Sequence, residues 1–572
     1  MTNRYRGEMS FCSIGPILAR AARTPRKLIA RLSLLGLLAT VMPSPAEARP
    51  AAATAAQPNF LIIVADDLGY SDIGSFGGEI DTPNLDALAA KGLRLTEFHT
   101  APTCSPTRAM LLSGLDNHEA GLGAMAENSA PAQRGQPGYE GYLRSDVATL
   151  AELLGAAGYR TLLSGKWHLG LAPEQDPSQR GFQSSFALLQ ASHNHFGLQV
   201  SPDPRRGFTY REDGKPLREL PANFYSSDYF ASKLIEQIKA SRSGPRGARP
   251  FFAYLAFTAP HFPLQAPREM IAKYRGRYAA GYEDLLRKRM KRQVELGLVA
   301  VTAVPHGLDK APAWRTLAPA EQALSSARME VYAAMVDRMD QNVGRVVEAL
   351  RATSELDNTV ILFLSDNGAD GMLLQSQMVG SGVRTRYDAA DNSLGNLGTA
   401  TSYEGLGPGW AEAISAPSRG FKGSQTEGGT RVVSVLAGPA IRPGVVRTPA
   451  SVMDIVPTFL DLAGVAKPNG YFNGRPVKPI RGLSWGPQLR REAETILPDR
   501  TVSAELHCGR SIRRGDWKLL DNGDAQWRLF NIARDPGEAQ DLAATEPART
   551  AVLIREWQQY AAEVGVVLDC RR

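Results

Sequence analysis

Apolar residues in this chain fall into short continuous runs separated by stretches of helical spacing. The run Asn59-Phe60-Leu61-Ile62-Ile63-Val64-Ala65 is apolar from its second residue on and ends abruptly in Asp66-Asp67-Leu68-Gly69. A strand that is apolar at every position is buried on both faces, as in a parallel sheet. Helical spacing follows from Asn84 to Lys91, with Pro83 near its start, and then a second strand from Leu93 to Phe98. The alternation repeats. Thr149 to Ala157 reads as helix and Arg160 to Ser164 as strand; Tyr229 to Ala240 as helix and Phe251 to Phe257 as strand. Ala323 to Arg351 and Thr359 to Leu364 continue the pattern. Strands alternating with helices predict an α/β domain with a mainly parallel sheet.

Two stretches break the rhythm. Residues 285–320 are charged and helical, the texture of an insertion, whereas Met378 to Ser418 is rich in Gly, Ser and Asn with weak periodicity. A long segment without regular structure is usually functional or mobile. After about residue 485 the texture changes. Arg510 to Leu520 and Trp527 to Ile532 read as antiparallel strands with an Asp-Asn-Gly turn signal between them, and Thr550 to Val564 as a final helix. The expected division is a main domain over 59–485 and a smaller C-terminal subdomain over 486–572.

Charge looks at first like a nucleic-acid signal, with a net +7 over 572 residues. Residues 1–48, however, hold seven basic side chains and two acidic ones, so removing them leaves about +2, and the nucleic-acid reading loses its main support. In that segment Arg26, Lys27 and Arg31 precede an apolar stretch from Leu32 to Met42, then Pro-Ser-Pro and Ala46-Glu47-Ala48. This is the layout of an export signal with cleavage after Ala48, followed by an Ala- and Pro-rich linker over 49–58. The apolar stretch is short for a membrane span, so no stable membrane anchor is expected. The predicted location is periplasmic or secreted. Three cysteines then remain: Cys508 and Cys570 could pair, and Cys104 is the odd one out.

Candidate chemistry gathers at three places. Two apolar strands end in acid-amide clusters, Asp66-Asp67 and Asp366-Asn367-Gly368. Ligand sites of open α/β sheets lie at the carboxyl ends of strands, so these side chains converge if both strands are central. Crowded carboxylates repel unless a cation neutralises them, and an all-oxygen set suits Ca²⁺ or Mg²⁺. Each cluster alone is equally an ordinary turn. The third place is Cys104-Ser105-Pro106-Thr107-Arg108. Proline pushes the residue before it toward extended geometry but suits a first helical turn, which puts Cys104 at or just before a helix N-terminus. Backbone N–H groups there favour negative charge, and Arg108 comes round one turn later on the same side. A buried structural cysteine fits the five residues about as well.

Together these segments resemble the type I, formylglycine-dependent sulfatase family, the bacterial arylsulfatase branch in particular. Cys104 to Arg108 matches the signature C-x-P-x-R, and Gly165-Lys166-Trp167-His168-Leu169-Gly170 resembles the family's second signature. Asp66-Asp67 and Asp366-Asn367 resemble its metal-binding segments, while Thr258-Ala259-Pro260-His261 and Phe421-Lys422-Gly423 resemble its remaining polar contacts. The resemblance implies an alkaline-phosphatase-like sulfatase fold: a large mixed, mainly parallel sheet flanked by helices, plus a small C-terminal antiparallel sheet with a helix. It also implies that Cys104 is oxidised by a formylglycine-generating enzyme or equivalent maturase to 3-oxoalanine (formylglycine), whose hydrate attacks a sulfate monoester to give a covalent sulfo-enzyme. One Ca²⁺ would be held by Asp66, Asp67, residue 104, Asp366 and Asn367. The implied roles are Asp366 as base toward the hydrate, Lys166 and Lys422 as sulfate contacts, and His261 as acid toward the leaving oxygen. His168 would be the base that releases sulfate, and Arg108 would steady the hydrate.

His193, Asn194 and His195 form a further polar cluster, either near the substrate or in loop hydrogen bonding, and His99 and His118 read as structural. Two rivals carry other classes of function: a phosphate or phosphonate monoester hydrolase on the same fold, and a non-catalytic calcium-binding protein.

Overall fold

The computed structural model describes residues 57–198, 209–240, 249–303, 306–439, 441–490, 500–568 and 570. The export signal and most of the linker lie outside the described residues. No helix among those described is long and apolar enough to cross a membrane.

The apolar runs do form one sheet. It has ten strands, and its centre is a parallel set in the order Thr359–Ser365, Asn59–Asp66, Phe251–Pro260, Arg160–Lys166, Ser184–Leu188. Antiparallel strands flank it, Ser434–Ala437 beside the Thr359 strand and Tyr210–Glu212 beside the Ser184 strand. The Asn59 strand shows why its run has no polar gap: Leu61, Ile63 and Ala65 join one buried cluster and Phe60, Ile62 and Val64 the other. Helices Pro83–Lys91, Ser226–Ala240 and Pro319–Ala352 contribute to the first cluster, whereas Cys104–Ser113, Leu150–Ala156 and Ile455–Leu462 contribute to the second. The Leu150 helix is fixed at its start by a capping box between Thr149 and Glu152.

Several elements differ from the sequence reading. The strand expected over 93–98 is two, Leu93–Leu95 in the large sheet and Phe98–His99 in a separate three-stranded one. The chain changes sheets at Thr96-Glu97, where the Glu97 carboxylate turns to Arg431 and Arg513. The segment Arg510 to Leu520 is a hairpin, Gly509–Arg514 against Trp517–Asn522, because Gly515 in the left-handed region turns the chain. Residues 378–418 are not devoid of regular structure: Gly382–Ala389 is a helix capped by Ser381, and Pro408–Ile414 begins on its proline.

Beyond residue 500 a four-stranded antiparallel sheet, Thr501–Leu506, Gly509–Arg514, Trp517–Asn522 and Arg528–Asn531, packs under helix Pro547–Val564. Ile512, Leu519, Leu529, Leu553 and Trp557 form its own small core. Cys508 and Cys570 are disulfide-bonded, which leaves Cys104 as the free cysteine among the described residues. Buried ion pairs join this sheet to the main body: Glu427 holds Arg513 at 2.8 Å and Lys518 at 2.9 Å.

Candidate active site

Four neighbouring parallel strands each deliver polar residues at their carboxyl ends. In order across the sheet these are Asp366-Asn367, Asp66-Asp67, His261, and Lys166 with His168. The second-face helix adds Cys104 and Arg108, and the loop after the Pro408 helix adds Lys422. Helix Cys104–Ser113 starts at Cys104 itself, two residues ahead of Pro106. That costs no hydrogen bond, since the first four N–H groups of a helix have no intrahelical partner.

Each of the three central carboxylates has a cation close against it. Lys166 Nζ donates to both Asp66 oxygens at 2.9 and 2.8 Å. Lys422 Nζ donates to Asp67 Oδ2 at 2.8 Å. Arg108 grips Asp366 Oδ2 through Nε at 3.0 Å and Nη2 at 2.8 Å, and donates from Nη1 to the Lys166 carbonyl. Burial raises all three carboxyls, but the outcome differs by partner. Asp366 ends below the ordinary carboxylate range because Arg108, Lys166 and Lys422 outweigh burial. Asp67 is pushed up to about 8, burial dominating over Lys422 with help from Asp66 and Asp370. Asp66 is also raised, chiefly by burial against Lys166.

Cys104 Sγ lies 3.5 Å from Asp66 Oδ1 and 3.8 Å from Asp67 Oδ1. Burial, together with Asp366 and Asp66, pushes its thiol well above the ordinary range despite Lys166 and Lys422. The helix N-terminus therefore does not make this thiol a thiolate; desolvation wins.

Asp66, Asp67, Asp366 and Cys104 bring ligand atoms within 4.8 Å of one another, all of them buried. Asn367 Nδ2 donates to Asp67 Oδ1 at 2.6 Å, which leaves its Oδ1 buried and without a hydrogen-bond partner among the described residues. Three buried carboxylates and one orphaned amide oxygen are a donor set that fits a hard divalent cation.

His261 Nδ1 donates to the Phe262 carbonyl at 2.5 Å, so Nε2 faces the site, 3.5 Å from Asp67 Oδ2. Burial, with Lys422 and Lys166, holds this imidazole well below its usual range. The Phe262 ring stacks on it at 4.3 Å and belongs to an apolar cluster with Leu374 and Tyr403, against which Met372, Val383 and Tyr387 pack.

The chain from residue 58 to 465 matches the family model for Sulfatase. The chain belongs to the sulfatase family. This sulfatase is 46% identical over 532 residues to an uncharacterized sulfatase of Schizosaccharomyces pombe, covering 89% of this chain and 94% of that one. It is 39% identical over 443 residues to an arylsulfatase of Klebsiella aerogenes, covering 76% and 92%. Among solved structures, Ps i-CgsB in complex with k-i-k-neocarrahexaose superposes with TM-score 0.63 at 25% identity, covering 88% of this chain and 93% of that one. A putative sulfatase from Bacteroides fragilis shares the fold with TM-score 0.62 at 19% identity, covering 89% and 96%. The reaction that goes with the family is hydrolysis of sulfate esters, and the sulfatase fold, a mixed, mostly parallel sheet with a small C-terminal antiparallel one, is the fold found.

Every residue singled out from the sequence as catalytic or metal-binding lies in or beside this cluster, although the roles belong to the proposal below. The His193-Asn194-His195 segment is tied into loops. His195 sits buried between Ser226 Oγ at 2.7 Å and the His261 carbonyl at 3.0 Å, and Asn194 Nδ2 donates to the Ala400 carbonyl. His99 pairs with Glu427, and His118 with Asp116 and Glu505. Two acids at the site carry no sequence signal. Asp370 lies 3.1 Å from Lys422, and Glu127 lies 3.1 Å from His168 Nε2. Neither falls in a periodic run or a recognisable spacing.

Proposed function

We propose that this sulfatase is an exported, calcium-dependent arylsulfatase that works through formylglycine made from Cys104 by a separate maturase. What supports the reading most directly is the convergence of four strand ends on one buried cysteine, with three carboxylates, one amide and three cations around it. Asp66, Asp67, Asp366 and Asn367 would hold Ca²⁺, which neutralises charge on the sulfate oxygens when bound. A formylglycine hydrate at residue 104 supplies two hydroxyls where the thiol supplies a single, fully protonated group.

The chain's own residues then divide the work. Lys166 and Lys422 turn from Asp66 and Asp67 to the anionic sulfate. With Oδ2 of Asp366 held by Arg108, its Oδ1, which accepts the Asp67 N–H at 3.3 Å, is the oxygen that would take a proton. An anion against Lys166 and Lys422 cancels the positive field on His261, raises its pKa, and lets Nε2 protonate the leaving oxygen. His168 serves as base for the step that frees sulfate. The apolar cluster beside His261 favours an aryl leaving group, because Phe262 and its neighbours offer a ring-sized apolar wall on the acid's side.

The test compares p-nitrophenyl sulfate with p-nitrophenyl phosphate, using matured enzyme with Ca²⁺ and after chelation. Sulfate turnover that exceeds phosphate turnover at saturation, and that chelation removes and Ca²⁺ restores, is the expected result. Faster phosphate turnover would sink the arylsulfatase reading, and indifference to chelation would sink the calcium one.

A further inference from the structure

His168 reaches the site on a backbone that side chains rarely adopt, with φ +57°. Such conformations persist where the surroundings dictate them and cluster at functional sites. The ring is buried. Its Nε2 lies 3.1 Å from Glu127 Oε1, while Nδ1 is buried with no hydrogen-bond partner among the described residues. Glu127 comes from a separate short turn, Ala126–Asn128, with its side chain 45% exposed, and is the one acid paired with this ring among the described residues.

The charged groups acting on His168 are Glu127, Lys166 and Arg108. Burial lowers its pKa, and Lys166 and Arg108 add to that against the opposing pull of Glu127, so the imidazole is neutral near neutral pH. Partial desolvation of the half-exposed Glu127 would raise it, yet its hydrogen bond and charge interaction with His168 bring it down to about 2. A neutral imidazole beside an ionised carboxylate has one consistent arrangement: Nε2 carries the hydrogen and donates it, and Nδ1 presents its lone pair.

We propose that Glu127 is the positioning residue of His168, fixing the Nε2–H tautomer so that the buried, unpartnered Nδ1 is the nitrogen that takes a proton during turnover. The inference rests on the reading of His168 as base. In the step, one proton passes from a hydroxyl at residue 104 to Nδ1, and Nε2 keeps its own hydrogen. The freed O–H pair closes a C=O, the C–O bond to sulfate breaks, and sulfate leaves with that bonding pair. The imidazolium so formed faces the Glu127 carboxylate, which stays ionised and receives no proton. An acid that orients and stabilises a histidine base does the same in a Ser-His-Asp triad, with the two ring nitrogens exchanged and the acid buried rather than half-exposed.

The test uses matured enzyme in four forms: wild type, Glu127→Gln, Glu127→Ala and His168→Ala. Ring ¹⁵N spectra of histidine-labelled protein report the tautomer without reference to activity. Wild type is expected to show His168 as Nε2–H alone, and Glu127→Ala a mixture of tautomers. Glu127→Ala is expected to lower kcat about tenfold to a hundredfold with KM little changed. In Glu127→Gln the amide oxygen still accepts from Nε2 but the charge is gone. The acidic limb of its kcat profile therefore moves to lower pH, by about one unit, because the charge that raised the His168 pKa has been removed. Wild-type kcat, acidic limb and tautomer in both Glu127 variants, with His168→Ala inactive, would overturn the proposal while leaving His168 as base. Wild-type kcat in His168→Ala would instead overturn the base reading, and this inference with it.

Discussion

Each acid at the centre of the site has its own cation: Asp66 with Lys166, Asp67 with Lys422, Asp366 with Arg108. Side chains suited to holding a dication and a sulfate are thus also paired with one another. His118 shows the same economy at a distance from the chemistry. Its ring joins Asp116, just after the Cys104 helix, to Glu505 on the first C-terminal strand, at 2.8 and 3.3 Å. Burial alone would lower this histidine, but the two carboxylates outweigh it and push it up to about 9. A folded-state pKa above the unfolded value of about 6.5 gives stability that is complete below about pH 6.5 and is lost as pH rises through about 9. The gap in unfolding free energy between wild type and His118→Asn is accordingly expected to shrink by about 3 kcal/mol from pH 6.5 to pH 10. Thermal unfolding across that window measures it, and a gap that does not vary with pH would count against the charged pairing.

At the scale of the element, the site depends on how closely two strands approach. Gly165 precedes Lys166 with φ +120°, and a Cβ there would lie 1.9 Å from the Ala256 carbonyl oxygen on the neighbouring strand. A backbone atom cannot step aside. Gly165→Ala is therefore expected to cost at least about 2 kcal/mol and to move Lys166 and His168 enough to lower kcat about a hundredfold. Calorimetry with steady-state kinetics checks this, and a variant equal to wild type in both would show that the strands can part without consequence. The central strands were legible because burial on both faces demands unbroken apolar runs, as in Phe60 to Ala65 and Val360 to Leu364. The breaks were less so. Thr96-Glu97 keeps strand-like composition while the chain changes sheets, since what bends it are ion pairs to Arg431 and Arg513, hundreds of residues away. Gly515-Asp516 is a turn signal inside what reads as one strand, and the helices in 378–418 are short, one without a buried residue and the other buried almost throughout, so neither shows an apolar stripe.

Across the whole molecule, what the sequence carried about the site was its strand ends and its spaced motifs. Asp66-Asp67 and Asp366-Asn367 are three hundred positions apart and meet because their strands are hydrogen-bonded neighbours. Glu127 and Asp370 were not legible, because their contacts with His168 and Lys422 exist only in the folded chain. The C-terminal sheet shares this feature: its pairing with the body runs through Glu427, Arg513 and Lys518, buried charges that a sequence reading assigns to the surface. Beneath all of this lies the identity of the nucleophile. A thiol as buried and as firmly protonated as that of Cys104 is a poor nucleophile, so turnover calls for another group at this position in active protein. The direct measurement is mass spectrometry of the peptide containing residue 104, taken from catalytically active protein made in its native host. An aldehyde is expected in place of the thiol, in a fraction that rises and falls with activity toward p-nitrophenyl sulfate. Fully active protein with an unmodified cysteine at 104 would contradict that expectation.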